Sequence, residues 1–332
     1  MIKMRGFNLV ELMIAMALSI LLLSGIFSIF LSNKQTFELQ KGLSSIQQNS
    51  RFIIDALNKD VQNAGYIGCY SLTDMPTKNT LNIDPPPFES DFSESIMGYE
   101  GSGSSWSPSA SSLPSDVRGV ASKEDDILVI RFSNPNDSLP LVKSMPNSSA
   151  TIFVKRKLTD TPIKDKDILL ITDCQKSAVF QVTNYTNSSG GIQHNTGGSV
   201  SPGNKTKLLA DAGSFSTDSK IVKLNTVVYF VAPSADKNLR GEVVKSLWKK
   251  QGKDSPIELV QGVTEFKLRY GEDKNSDGSP NRYAKAGDVS DFLNVSSVSL
   301  NLVVNSVNKV DNKLMKKKFN SIFKIRNRGF QQ

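Results

Sequence analysis

Between Leu12 and Leu31 twenty consecutive residues carry no charge, and Leu, Ile, Met, Ala and Phe dominate them. At about 1.5 Å per residue, a helix over this run has the length needed to cross a hydrocarbon core of about 30 Å. Any fold must therefore place this apolar rod in a bilayer or bury it among other apolar rods. Lys3 and Arg5 precede the run and Lys34 follows it. A cationic flank stays in the cytoplasm, which puts residues 1–6 there and the bulk of the chain on the far side. A cleaved secretory signal has an apolar core of roughly 7–15 residues closed by small residues. This run is longer, lacks an Ala-x-Ala ending and continues into further helical periodicity, so it is expected to stay attached.

That periodicity is carried by Leu39, Leu43, Ile46, Ile53, Leu57 and Val61, which advance by three, four or seven residues, with Ser50 in the wide gap. The stripe predicts an amphipathic helix packed on a globular head. Gly65 offers a C-terminal cap. The helix is expected over 7–65, with 7–31 as its membrane or filament-core part, and Phe7 to Asn63 would span about 85 Å.

Glu11 stands at the edge of the apolar run. A carboxylate there is costly unless paired, so it is either a functional residue or one held at headgroup level. The string Arg5-Gly6-Phe7-Asn8-Leu9-Val10-Glu11-Leu12, behind a six-residue basic leader, closely resembles the class III signal of type IV prepilins. In that family a prepilin peptidase cuts after the Gly and methylates the new N-terminal Phe, and a Glu occupies the fifth mature position. The resemblance implies a leader at 1–6, cleavage between Gly6 and Phe7, N-methylation of Phe7, and subunit assembly through Phe7 and Glu11. An ammonium and a carboxylate four residues apart in a membrane would each be costly alone, and pairing with a neighbouring subunit offsets that cost. Major pilins often carry a helix-breaking Pro where this chain has Ser28. Gly25, with Ser24 and Ser28, offers either a looser helix or a closer helix–helix approach.

The 332 residues contain one His and two Cys. A His/Cys metal site needs three or four such ligands, and a His-centred triad would depend on His194 in the stretch SSGGIQHNTGGS. No motif marks a carboxylate pair either, so the chain is read as non-catalytic. Cys69 and Cys174 are an even pair in an exported chain, for which a disulfide is the default and two free buried thiols the alternative. Asp273, Asn275 and Asp277 followed by Gly278 have the opening of a calcium loop. The twelfth place, where a bidentate Glu is needed, is Ala284, so a solvated hairpin turn is the preferred reading and no cofactor is expected.

Residues 66–332 are expected to form the exported head. Its Ser/Pro/Gly-rich part, 71–124, predicts long loops with little regular structure. Strands are expected at 126–133, 150–157, 167–172, 178–184, 226–232, 242–249, 263–270, 295–305 and 317–327. One slip in the alternation of 295–305 suggests a bulge. Polar loops at 133–149, 184–206 and 271–291 connect the set. The fold class is α+β, a long N-terminal helix on a mainly antiparallel β-rich head.

The pieces Gly65-Tyr-Ile-Gly-Cys69, Ile171-Thr-Asp-Cys174, Glu258-Leu-Val-Gln-Gly262 running on to Gly271, and Phe323-Lys-Ile-Arg-Asn-Arg328 resemble the PilW family of minor pilins. This resemblance implies a type IV pilin-like fold and a non-catalytic subunit of the tip or priming complex of a type IV pilus, supporting twitching, adhesion and DNA uptake. The implied partners are other minor pilins, the major pilin, a tip adhesin, the prepilin peptidase and the inner-membrane assembly platform. The implied location is the inner membrane before assembly and the pilus tip at the cell surface afterwards. A pseudopilin at the tip of a type II secretion system shares the N-terminal signal and is the alternative; a tethered enzyme or carbohydrate-binding module is a more distant one. Formal charge is +8, with basic clusters at 155–157, 249–250 and 316–318. No nucleic-acid motif or aromatic interleaving accompanies them, so nucleic acid is not an expected partner.

Overall fold

The computed structural model describes residues 8–68, 77–91, 93–133, 138–155, 163–197, 200–309 and 313–326. One helix, α1 (Leu9–Asn63), precedes β1 (Thr77–Asn79), β2 (Ile96–Gly101), β3 (Trp106–Ser107), a single-turn helix α2 (Ser115–Arg118) and β4 (Ile127–Ser133). Next come β5 (Leu139–Pro140), β6 (Ile152–Phe153), β7 (Ile168–Thr172), β8 (Ser177–Gln181), β9 (Asn184–Thr186) and β10 (Gly191–Gln193). The last third holds β11 (Lys220–Lys237), β12 (Val243–Gln251), β13 (Ile257–Gln261), β14 (Val263–Glu272), β15 (Arg282–Ala284), β16 (Val295–Asn305) and β17 (Lys316–Lys324). The expected α+β class holds: a long apolar helix joins a β-rich head whose pairings are antiparallel except that of β1 with β8.

The strands form three sheets among the described residues. The largest runs β1-β8-β7-β11-β4-β2-β3, with β12 and β5 also on β11 and β13 on β12. A small sheet orders β6-β10-β9, and a four-stranded sheet orders β15-β14-β16-β17. The 18-residue β11 organises the first: its start pairs with β7, its middle with β4 and its end with β12. Only 226–232 of β11 reads as a strand from sequence, because its flanks Lys223, Asn225, Ser234 and Asp236 break the apolar run. The slip in 295–305 is a bulge: Gly271 faces Ser297 and Glu272 faces Val295, leaving Ser296 without an opposite residue.

The stripe on α1 packs only from Ile46 onward. Ile46, Ile53, Leu57 and Val61 are fully buried against Ile130, Tyr229, Phe266, Leu300, Leu302 and Phe323. At about 1.5–3 kcal/mol for each side chain, this seam contributes about 6–12 kcal/mol as an upper figure. Leu39 and Leu43, expected on the same seam, stay 40% and 45% exposed because the helix runs past the end of the head. Ser50 sits in the seam and donates its hydroxyl to the Gln47 carbonyl at 3.0 Å. At the upper end Ala64 and Gly65 (φ 76°) make a type II turn closed by Tyr66 N–H to Asn63 carbonyl at 3.0 Å. Gly is required there by the left-handed conformation, as its reading as a cap anticipated.

The region 71–124 is the main correction. Of its described residues, Ile96–Gly101 form an inner strand paired with β4, and Tyr99, Trp106, Leu113 and Val117 build a core with Ile127, Val129, Val228 and Phe230. Arg131, buried, donates to the Glu94 and Phe88 carbonyls at 3.1 and 3.4 Å and stacks on the Phe88 ring at 5.0 Å. Burial holds its guanidinium below the usual arginine range. A few widely spaced apolar anchors and one arginine order this Ser/Pro-rich chain, and neither gives a local periodicity. Likewise the expected strand at 150–157 is only Ile152–Phe153 in its described part, and Ile257–Gln261 is a strand that the reading missed.

Candidate functional site

Residues 8–41 are exposed throughout. Leu21 and Leu22 are each 69% exposed, and the membrane-length window of this helix has no buried residue. Monomeric soluble proteins rarely expose apolar patches beyond a few hundred Å². Backbone polarity along the rod is satisfied within it, and the Ser19 and Thr36 hydroxyls donate to the Ala15 and Ser32 carbonyls at 2.7 and 2.9 Å. The helix continues unbroken through Gly25, where an added Cβ would meet no heavy atom within 4 Å. Such a surface is complete only in a bilayer or among other helices.

Glu11 lies in the first turn and accepts the Asn8 N–H at 3.1 Å, so its carboxylate turns back toward the start of the helix. This is the placement favoured by the partial positive charge of a helix N-terminus. Gly6 and Phe7, the expected processing residues, lie outside the described residues. Cys174 is disulfide-bonded and Cys69, the chain's other cysteine, lies outside the described residues.

The exposed rod is coupled to the head by a buried polar junction that the sequence reading missed. Asp60 follows Leu57 by one helical step and so faces the head. Its Oδ2 accepts the Tyr229 hydroxyl at 2.6 Å and the Lys249 ammonium at 2.8 Å. Lys249 also lies 5.4 Å from the centre of the Tyr229 ring. Burial and the adjacent Asp60 carboxylate push the Tyr229 hydroxyl far above the usual tyrosine pKa. An acidic residue at a stripe position, three residues after Leu57 and one before Val61, is the signal that could have found it.

Two further carboxylates tie the sheets together, and a third, Glu272, braces the β14–β15 hairpin. Asp125 accepts the Phe266 N–H at 3.0 Å and Lys245 at 3.2 Å. Asp126 accepts Leu268 N–H at 2.7 Å, Gly101 N–H at 3.0 Å and Lys267 at 3.1 Å, linking β2 and β4 to β14. Burial outweighs these bonds and raises the Asp126 carboxyl above the usual range. Glu272, wholly buried, accepts Arg282 at 2.5 Å, the Ser290 N–H at 2.9 Å and the Ser290 hydroxyl. Burial pushes its carboxyl up, but Ser290 and Arg282 prevail and bring its pKa down to about 2.

The loop between β14 and β15 closes on itself. Asp273 accepts the Gly278 N–H at 2.7 Å and the Asp277 N–H at 3.3 Å, while Asn275 turns its amide N–H toward Asp277 at 2.9 Å. The oxygens read as calcium ligands thus serve backbone donors, and Asn275 presents a donor. Among the described residues no three His, Cys, Asp or Glu side chains converge for a metal ion. His194 is not on an open loop: it is buried, with Nε2 3.0 Å from the Ala150 carbonyl and its ring edge-on to Phe180. Burial lowers its pKa.

Comparison with known families matches residues 228–323 to the model of the type IV pilus-assembly protein W, PilW. The matched segment begins one residue before Tyr229 in β11 and ends at Phe323 in β17. It therefore contains the head side of the helix junction, from Tyr229 and Lys249 to Leu300, Leu302 and Phe323. Over that segment the chain is similar to type IV pilus-assembly proteins. No curated protein and no solved structure matches the chain.

Proposed function

We propose that this chain is a minor pilin of a type IV pilus, a non-catalytic subunit of the tip or priming complex that promotes assembly. The observation that carries the reading is the match of the helix-docking strands, residues 228–323, to a pilus-assembly family. The bare apolar rod supports it, because such a surface needs a membrane before assembly and neighbouring helices afterwards. In this reading prepilin peptidase cuts between Gly6 and Phe7, Phe7 is methylated, and the subunit waits in the inner membrane with its N-terminus cytoplasmic. Glu11 then meets the ammonium of Phe7 on a neighbouring subunit, and the head caps or bridges other minor pilins, the major pilin and a tip adhesin. A Cys69–Cys174 disulfide holds the end of the helix to the strand region.

Deleting the gene tests the reading by counting surface pili and measuring type II export, in strains with and without pilus retraction. Loss of pili with normal export, partly restored when retraction is blocked, is the expected result. Normal pili with failed export would overturn it in favour of a secretion pseudopilin. Glu11→Ala should lower incorporation into pili while leaving cleavage intact, and normal incorporation would refute the charge pairing.

A further inference from the structure

We infer that the membrane-facing end of the head binds anionic lipid headgroups, through the β11–β12 hairpin tip and the lysines that open β17. The inference rests on the reading of α1 as a membrane anchor.

Position comes first. Ser306 N–H donates to the Met315 carbonyl at 2.8 Å, and a Cβ on Gly42 would lie 2.3 Å from Met315 Cε and 3.5 Å from Ser306 Cβ. The start of β17 is therefore level with Gly42. Its far end is level with Gln62, whose carbonyl accepts Arg326 N–H at 3.3 Å. The hairpin tip shares the lower end: Asn238 Nδ2 donates to the Val307 carbonyl at 3.3 Å and Leu239 N–H to Asn308 Oδ1 at 3.1 Å.

From Leu31 to Gly42 the helix climbs about 16 Å. Headgroups occupy about 5–7 Å of that on one side of the bilayer. The remaining gap is about 10 Å for an upright helix. A tilt of about 20° lowers one side of the head by about 3.4 Å for each 10 Å of offset from the axis. Lysine side chains reach the rest, since their stems extend while the ammonium seeks a polar partner.

Chemistry comes second. Leu239, at 89%, is the most exposed large apolar side chain among the described residues, and Val243 beside it is 57% exposed. The turn needs Asn238, whose Oδ1 accepts Arg240 and Glu242 N–H at 3.0 and 2.9 Å, and Gly241 at φ 76°. It asks nothing apolar of position 239. Around this leucine and on the adjoining strand stand the exposed cations Lys237, Arg240, Lys313, Lys316, Lys317 and Lys318. The acids at this end among the described residues are Asp236, Glu242 and Glu258; Glu258 accepts the Ala235 N–H at 2.9 Å and Glu242 accepts Lys309 at 2.5 Å. Excess lysine and arginine at the end of the head nearest the bilayer, with one exposed leucine among them, suit contact with anionic phosphates at the headgroup surface. Such a contact fixes which side of the head faces down while the subunit waits, and is released on extraction.

The test uses the full chain in phosphatidylcholine vesicles with and without about 30% phosphatidylglycerol, reading hydrogen exchange of amides 239–243. Exchange is expected to slow about fivefold or more in the anionic vesicles and to recover in about 0.5 M salt. Lys316→Glu with Lys318→Glu should abolish the protection while β16 exchange stays unchanged, which certifies the fold. Equal exchange in the two lipids, from a chain that floats with the vesicles, overturns this inference and leaves the anchor reading standing. A chain that fails to float with vesicles overturns the anchor reading and this inference with it.

Discussion

Asp60→Ala removes the one carboxylate at the junction of helix and head, and the cost follows from what it leaves behind. The Tyr229 hydroxyl, on a wholly buried residue, loses its 2.6 Å partner. An orphaned buried donor costs about 1–3 kcal/mol. Lys249 loses its 2.8 Å contact, but its side chain is 22% exposed, so the ammonium can turn to water. That puts the total near the low end of the range for breaking a buried pair, about 3 kcal/mol. Asp60→Asn keeps an acceptor for Tyr229 and loses only the charge, at about 1–2 kcal/mol. Replacing the trio together, Asp60→Leu with Tyr229→Phe and Lys249→Met, should cost about 1 kcal/mol or less, because no polar group is then stranded. Urea unfolding in mild detergent, followed by the fluorescence of Trp106 and Trp248, reads these differences. With a slope of about 3 kcal/mol per molar urea, Asp60→Ala should lower the midpoint by about 1 M. A midpoint within about 0.2 M of wild type, or no coupling between Asp60→Ala and Lys249→Met in a double-mutant cycle, would refute the junction.

Gly98 on β2 lies against Tyr270, where an added Cβ would fall 2.0 Å from the hydroxyl, so Gly98→Ala should destabilise by about 1–3 kcal/mol or more in the same urea assay. The Tyr270 hydroxyl is buried without a hydrogen-bond partner among the described residues, so Tyr270→Phe should be neutral or stabilise by up to about 1 kcal/mol. Glu272 has a lower pKa folded than its ordinary value of 4.5, so its contribution is present above that pH and is lost as pH falls toward about 2. With Arg282 half exposed the contribution is about 1–2 kcal/mol, and Glu272→Gln should flatten the acid limb of a stability–pH curve. For the proposed Cys69–Cys174 disulfide, the unreduced protein should weigh about 2 Da less than the reduced one, and reduction should cost about 2–4 kcal/mol.

The long helix was legible because its determinants are local: an uncharged run of membrane length, then a heptad-like stripe, then a glycine where a left-handed residue is needed. The strands 126–133, 167–172 and 295–305 were legible for the same reason, each a β-branched run bounded by turn residues, and even the Ser296 bulge left its mark in the alternation. The candidate assembly surface, the bare apolar rod with Glu11 at its start, follows from the same local pattern. What stayed hidden is non-local. Arg131 holds Phe88 and Glu94 through their carbonyls about forty positions away, and Trp106 and Val117 find their core only when β4 and β11 are already in place. Asp60 looks like a surface charge until Tyr229 and Lys249 arrive from strands some 170 and 190 residues later. The cluster of Leu239 and the β17 lysines at one end of the head exists only because antiparallel pairing brings a hairpin tip and a strand start to the level of Gly42. Periodicity records which face of an element is apolar; only the tertiary structure decides what that face, and each charge beside it, meets.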